Sequence, residues 1–246
     1  MRSARTAAAA FMVAAVAMTA AGCAAGPGDD ASLVGVAMPT TTLLRWVDDG
    51  EDVQEQLENL GYDVDLRYAD NEVATQVQQV GEMIDAGVDL LIIGAIDGTA
   101  LKDQLARAAS ADIPVVSYDR LIRDTPDIAY YATFDNLSVG VMQGHSLARG
   151  LGLEDADGNK IEGAGPFSVE LFAGSPDDNN ATVFYEGAMS VLDPYIAAGD
   201  LVVTSGEKDF ATIATEGWDS AKSNERMTKL LSTHYSGGER PDGVLA

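Results

Sequence analysis

From Leu33 onward the chain alternates short unbroken apolar runs with stretches in which apolar residues return every three or four positions. A run of four to seven apolar residues reads as a strand buried on both faces, and the longer period reads as one face of a helix. The first unit is a strand from Leu33 to Met38, then a helix traced by Leu43, Leu44, Val47, Leu57 and Leu60 and stopped by Gly61. The second pairs Val64 to Tyr68 with a helix carrying Val73, Val77, Val80, Met83 and Ile84, with Gly87 after it. The third pairs Leu90 to Ile96 with Leu101, Leu105, Ala108 and Ala109, and further buried strands are expected at Val115 to Tyr118 and Ile128 to Phe134.

The pattern then restarts. A helix is expected from about Asn136 to Leu151, carrying Leu137, Val141, Leu147 and Leu151, and a polar loop from Glu154 to Pro166 leads to a strand at Val169 to Ala173. A helix through Phe184, Ala188 and Val191, a strand at Leu201 to Val203, a helix through Met227, Leu230 and Leu231, and an apolar run from Gly243 complete the series. Repeated β-α units joined by short loops predict an α/β fold of doubly wound parallel sheets flanked by helices. Two successive sets predict two lobes, an N-terminal lobe at 33–134 and a C-terminal lobe at 135–246, with the boundary near Thr133 to Asn136. Because the last apolar run stops at Val244-Leu245-Ala246, the second lobe is expected to be incomplete.

Four of the apolar runs end in acids or amides just before a helical stretch: at Asp97, at Asp119-Arg120, at Asp135-Asn136, and at Ser175-Pro176-Asp177-Asp178-Asn179-Asn180. In an open parallel sheet the carboxyl ends of the strands converge on one crevice, so this repetition predicts a polar, acid-rich cleft.

Charge narrows what such a cleft can take. With 39 acidic against 15 basic residues and a formal charge of -24, the chain lacks the clustered cations that a phosphate backbone needs, so nucleic acid is excluded as a partner. At 246 residues and 46% hydrophobic, it can bury one large core or two modest ones. The N-terminus has its own logic. Arg2 and Arg5, the apolar stretch Ala7 to Met18 and the small residues Thr19-Ala20-Ala21-Gly22 predict a signal peptide at 1–22. Ala20-Ala21-Gly22-Cys23 resembles the lipobox of bacterial lipoproteins, in which the thiol is diacylated and becomes the first mature residue. That resemblance implies an exported protein, anchored by lipid at Cys23 to the outer face of the cytoplasmic membrane; an ordinary secretory peptide with an incidental cysteine is the alternative. Residues 23–32 read as the lipidated cysteine and a flexible linker. Cys23 is the sole cysteine, so no disulfide, thiolate nucleophile or cysteine-based metal site is expected.

Enzyme signatures are missing: there is no Gly-x-Ser-x-Gly elbow, no His-Glu-x-x-His, and no phosphate-cradling glycine loop. His145 and His234 stand alone and are assigned packing or surface roles. Asp155-Ala156-Asp157-Gly158-Asn159 with Glu162 departs from calcium-loop spacing and reads as a plain turn, so neither metal nor cofactor is expected. Glycosidase chemistry would need one carboxyl raised by an apolar pocket. Here the aspartates neighbour Arg120, Asn136, Asn179 and Asn180, which keep a carboxylate ionised and accepting. Ionised Asp, Asn amides and Arg forks suit a polyhydroxyl ligand, whose hydroxyls both donate and accept. A sugar also has apolar C-H faces that want an aromatic plane. Trp46, just beyond the first strand, and Trp218, before the last helix, are the two tryptophans, each open to core packing or to ligand stacking.

Several stretches carry a specific likeness: Val34-Gly35-Val36-Ala37-Met38-Pro39-Thr40, Arg45-Trp46, Ala95-Ile96-Asp97-Gly98-Thr99, and Ser117-Tyr118-Asp119-Arg120-Leu121-Ile122-Arg123. It continues through Tyr130-Tyr131-Ala132-Thr133-Phe134-Asp135-Asn136, Gly174-Ser175-Pro176-Asp177-Asp178-Asn179-Asn180-Ala181 and Gly187-Ala188-Met189-Ser190-Val191-Leu192. There the sequence resembles the periplasmic sugar-binding proteins of ABC transporters, in the xylose-binding and multiple-sugar-receptor branch. The resemblance implies a type I clamshell, monomeric and without catalysis, that closes on a monosaccharide such as xylose, glucose or galactose and hands it to an ABC permease. It implies hydrogen bonds to ring hydroxyls from Asp119 and Arg120, a polar contact and stacking plane at Arg45-Trp46, second-lobe contacts from Asn179 and Asn180, and a facing aromatic at Trp218. Asp97 and Asp135 either touch the ligand or organise their loops. Members of the family continue beyond the Val-Leu-Ala strand, so a chain ending at Ala246 is expected to be poorly stable and to bind sugar weakly. A sugar sensor reporting to a membrane kinase is the second reading, and a secreted glycoside hydrolase a distant third.

Overall fold

The computed structural model describes residues 32–246. The expected signal peptide, Cys23 and the linker up to residue 31 lie outside the described residues. Two parallel sheets organise the described residues. The first has the order β2-β1-β3-β4-β5, from β1 (Leu33–Met38), β2 (Asp63–Tyr68), β3 (Leu90–Ile93), β4 (Val115–Tyr118) and β5 (Tyr130–Ala132). Helices α1 (Leu44–Asn59), α2 (Val73–Ala86) and α3 (Lys102–Ser110) connect the strands. Side chains alternate across a strand, so β1 serves two cores at once. Val34, Val36 and Met38 pack with Trp46 of α1, and Ala37 packs with Val80, Met83, Leu91, Ile93 and Leu105.

Three expectations for this half are corrected. The buried stripe of α1 runs through Trp46 and Gly50, with Val53 and Leu57 packed against that core, while Leu44 and Leu60 are 75% and 74% exposed. Leu44 precedes Trp46 by two residues, about 200° of helical rotation, so both cannot face the sheet. Burying Trp46 removes more apolar surface. The run from Ile128 to Phe134, expected as a buried strand, pairs only over Tyr130–Ala132 and is exposed there, because β5 is an edge with β4 as its single neighbour. The run from Leu90 likewise leaves the ladder at Ile93, and Gly94 to Ile96 form a buried loop beyond it.

The second sheet has the order β7-β6-β8, from β6 (Phe167–Leu171), β7 (Leu201–Val203) and β8 (Gly243–Leu245). Around it lie α4 (Asn136–Leu151), α5 (Asn179–Ala198), α6 (Phe210–Ile213), a 3-10 turn at Glu216–Trp218, and α7 (Ser220–His234). On α4 the fully buried positions include Gly140, Gly144 and Ala148; of the expected stripe, Leu147 and Leu151 pack against the second core while Leu137 is half exposed. The cause is close approach to α5: a Cβ on Gly140 would collide with the Phe184 carbonyl oxygen, and one on Gly187 with that of Leu137. His145 Nδ1 lies 2.7 Å from Glu154 Oε2, and Tyr195 donates to Glu154 Oε1 at 3.0 Å, so this histidine serves the packing of the second lobe. Asp155 Oδ1 accepts from the N–H groups of Asp157 and Asn159, closing a plain turn.

Candidate functional site

The site grows from the end of β4. Asp119 has φ 58°, and the Arg120 N–H donates to the Tyr118 carbonyl at 2.6 Å, a three-residue turn of a kind that costs energy in a residue with a side chain. Its surroundings hold it. Ser117 Oγ donates to the Arg120 carbonyl at 2.7 Å and accepts from the Ile122 N–H at 2.9 Å. The Asp119 carbonyl accepts from Tyr131 Oη at 3.1 Å, Thr133 Oγ1 at 3.0 Å and Asn180 Nδ2 at 3.0 Å. The first two donors come from the β5 segment and the third from α5, so the turn is fastened to the second lobe.

Arg120 is 6% exposed. Nη1 donates to the Ala95 carbonyl at 3.2 Å, and the guanidinium lies 5.2 Å from the Trp46 ring. Nε is 3.1 Å from Asp178 Oδ2, an ion-pair contact between the two lobes. Burial lowers the pKa of Arg120 and raises that of Asp178, and in each the partner's charge works against the shift. Asp178 caps α5 by accepting from the Asn180 N–H at 2.9 Å through Oδ1, while Oδ2 also accepts from Trp218 Nε1 at 3.1 Å. One carboxylate therefore ties a first-lobe cation to a second-lobe aromatic. The Trp218 ring lies so close over Gly174 that any Cβ there would meet it.

Two chambers flank the Asp119-Arg120 turn. The larger, about 590 Å³, is lined by Thr42, Ile96, Arg120, Asp177, Trp218 and Asp219 among others, within the ordinary range for small-molecule clefts. The smaller, about 470 Å³, is lined by Arg45, Asp49, Tyr118, Asp119, Thr133 and Phe134. Arg45 Nη2 reaches Asp49 and Asp119, each at 3.1 Å.

The structure thus places Arg120 and Trp218 on the larger chamber and Arg45 and Asp119 on the smaller one. It corrects the expectation for Trp46, which is 1% exposed and packs in the core beneath the Arg45 and Arg120 guanidiniums, so its faces are already occupied. Asn180 is 2% exposed and spends its amide on Asp119, Asn136 and Tyr131, which makes it a fastening between lobes. Asn179, the first residue of α5, lines neither chamber. Asp97 Oδ1 accepts from the N–H and hydroxyl of Thr99, both at 2.7 Å, and so organises its own loop. Asp135 caps α4 through the N–H and hydroxyl of Ser138, whose hydrogen bonds hold its pKa down. Sequence reasoning missed Asp178 as a site residue. Its place directly before a helix was a legible N-cap signal, but its pairing with Arg120 spans 58 positions and has no local mark.

Residues 34–246 match the family model described as a periplasmic binding protein domain. The chain is 49% identical over 217 residues to the multiple sugar-binding periplasmic receptor ChvE of Rhizobium radiobacter, covering 88% of this chain and 59% of that protein. It is 34% identical over 213 residues to the D-xylose-binding periplasmic protein of Escherichia coli (strain K12), covering 87% and 58%. Among solved structures, an ABC transporter solute binding protein from Clostridium phytofermentans with bound β-D-glucose superposes with a TM-score of 0.81 at 47% identity, covering 87% of this chain and 64% of that one. The chain therefore spans less than two thirds of the length of these relatives. With its parallel sheets, flanking helices and acid-ended strands, the chain belongs to the periplasmic binding protein family and has its type I fold.

Proposed function

We propose that this protein captures a monosaccharide, an aldose such as xylose, glucose or galactose, between two lobes divided near residue 134, and delivers it to an ABC permease. The observation that carries this reading is the chamber where Arg120 of the first lobe and Trp218 of the second meet through Asp178. A guanidinium donates to ring hydroxyls, the Asp177 side chain accepts from them, and the Trp218 ring offers a plane to C-H groups. Arg45 and Asp119 hold the other side of the turn and supply further polar contacts. Closure needs no chemistry: a ligand that touches both lobes favours the state in which they meet. The names of the relatives support sugars as the ligand class, and the N-terminal pattern supports export with lipid anchoring at Cys23. Calorimetric titration of the complete gene product with xylose, glucose, galactose and arabinose tests the proposal. Saturable heat with at least one aldose is expected; no heat with any of the four overturns it.

A further inference from the structure

Gln76 sits on α2 among valines and is 2% exposed, an unusual place for a carboxamide. Both ends of its amide are spent on one loop: Nε2 donates to the Gly94 carbonyl and Oε1 accepts from the Ile96 N–H, each at 2.9 Å. The residue between them, Ala95, presents the carbonyl that Arg120 Nη1 donates to at 3.2 Å. This loop lies beyond the end of β3: the Gly94 N–H still donates to the Ala37 carbonyl of β1 at 3.0 Å, but the two peptides flanking Ala95 lie past the paired strand residues and take their hydrogen bonds from Gln76 and Arg120 instead. Gln76 lines neither chamber.

We propose that Gln76 is a positioning residue for ligand binding, fixing the Ala95 carbonyl and through it the Arg120 guanidinium at the cleft. The mechanism is geometric. A carboxamide that bonds the peptides on both sides of Ala95 prevents that carbonyl from rotating, and the Arg120 fork is aimed by the acceptor it has. Asp178 supplies charge on the other side of the guanidinium, so loss of the Ala95 contact would leave Arg120 charged and buried but turned within its pocket. The inference rests on the sugar-binding reading above, with Arg120 as a ligand contact.

The test is a double-mutant cycle on the complete gene product, read by calorimetric titration with D-glucose and D-xylose and by thermal melting. Gln76→Met removes both bonds at similar volume. Arg120→Lys keeps a charge facing Asp178 but gives up the bond to the Ala95 carbonyl. Gln76→Met alone is expected to weaken sugar binding about tenfold, and to have less than a twofold further effect when Arg120 is already Lys. A role in loop stability alone would lower the melting temperature in both backgrounds and change affinity by the same factor in each, and that outcome overturns the inference. Should Gln76→Met not fold, Gln76→Glu, which still accepts from Ile96 but no longer donates to Gly94, carries the same comparison. Absence of binding by the parent protein overturns the sugar-binding reading and this inference together; binding by the parent with independent losses overturns this inference alone.

Discussion

Arg120 and Asp178 form an ion pair across the two lobes, Nε to Oδ2 at 3.1 Å, with the residues 6% and 4% exposed. Charges so far from water are costly to separate. Removing one partner strands the other, at about 3–5 kcal/mol, whereas replacing both with apolar residues of similar size is often nearly neutral. Asp178→Ala should therefore lower unfolding free energy by roughly that amount in urea denaturation. The double substitution Arg120→Met with Asp178→Leu should recover part of it, the remainder being the lost cap of α5 and the lost acceptor of Trp218 Nε1. A single-mutant loss below about 1 kcal/mol would mean that the pair is solvated in practice.

The two tryptophans should separate in a fluorescence titration. Trp46 is sealed in the first core and Trp218 borders the larger chamber, so sugar should change the emission of Trp218. Trp46→Phe is expected to keep the ligand-dependent signal, and Trp218→Phe to lose it and to weaken binding. The reverse pattern would return Trp46 to the role of stacking plane.

Gly140 and Gly187 reverse the usual propensity rule. In an exposed helix, Gly to Ala gains up to about 1 kcal/mol. Here the added Cβ meets backbone carbonyls of the facing helix, which cannot swing aside as a side chain can. Gly140→Ala and Gly187→Ala should each cost about 1–3 kcal/mol, lowering the melting temperature by several degrees in calorimetry. A raised melting temperature would contradict the close packing of α4 on α5.

Tyr195 provides a pH signature. Burial, reinforced by its hydrogen bond to Glu154, pushes its phenol up to about 12. The unfolded chain releases that proton near pH 10, so the protonated phenol contributes stability in full below pH 10 and loses it as pH rises from 10 to 12. Tyr195→Phe should flatten this part of the stability profile. An unchanged slope between pH 10 and 12 would show that the phenol titrates as a free one.

Most of the architecture was legible because it is written in local periods. The strand at Leu33–Met38, the helix at Val73–Ala86 with Gly87 after it, and the restart at Asn136 all follow from runs and repeats within a few residues. The failures share a cause: tertiary neighbours decided what local pattern could not. Leu44 and Leu137 looked like core and are exposed, because Trp46 and the glycines of α4 took the contact faces. Two of the polar strand-end residues, Asp119 and Arg120, line the chambers beside the β4 turn. Polar strand ends alone could not distinguish aspartates that close their own turns, such as Asp97 and Asp135, from Asp178, whose partners lie 58 and 40 positions away.

If a sugar bridges the two lobes, backbone hydrogen exchange of the complete gene product, measured with and without D-glucose or D-xylose, registers it on both sides at once. Addition of a binding aldose should slow exchange together in the β4 turn at Asp119 to Ile122 and in the second-lobe segments at Ser175 to Asn180 and Gly217 to Asp219. Protection confined to one lobe, or to neither, would mean that no sugar bridges them.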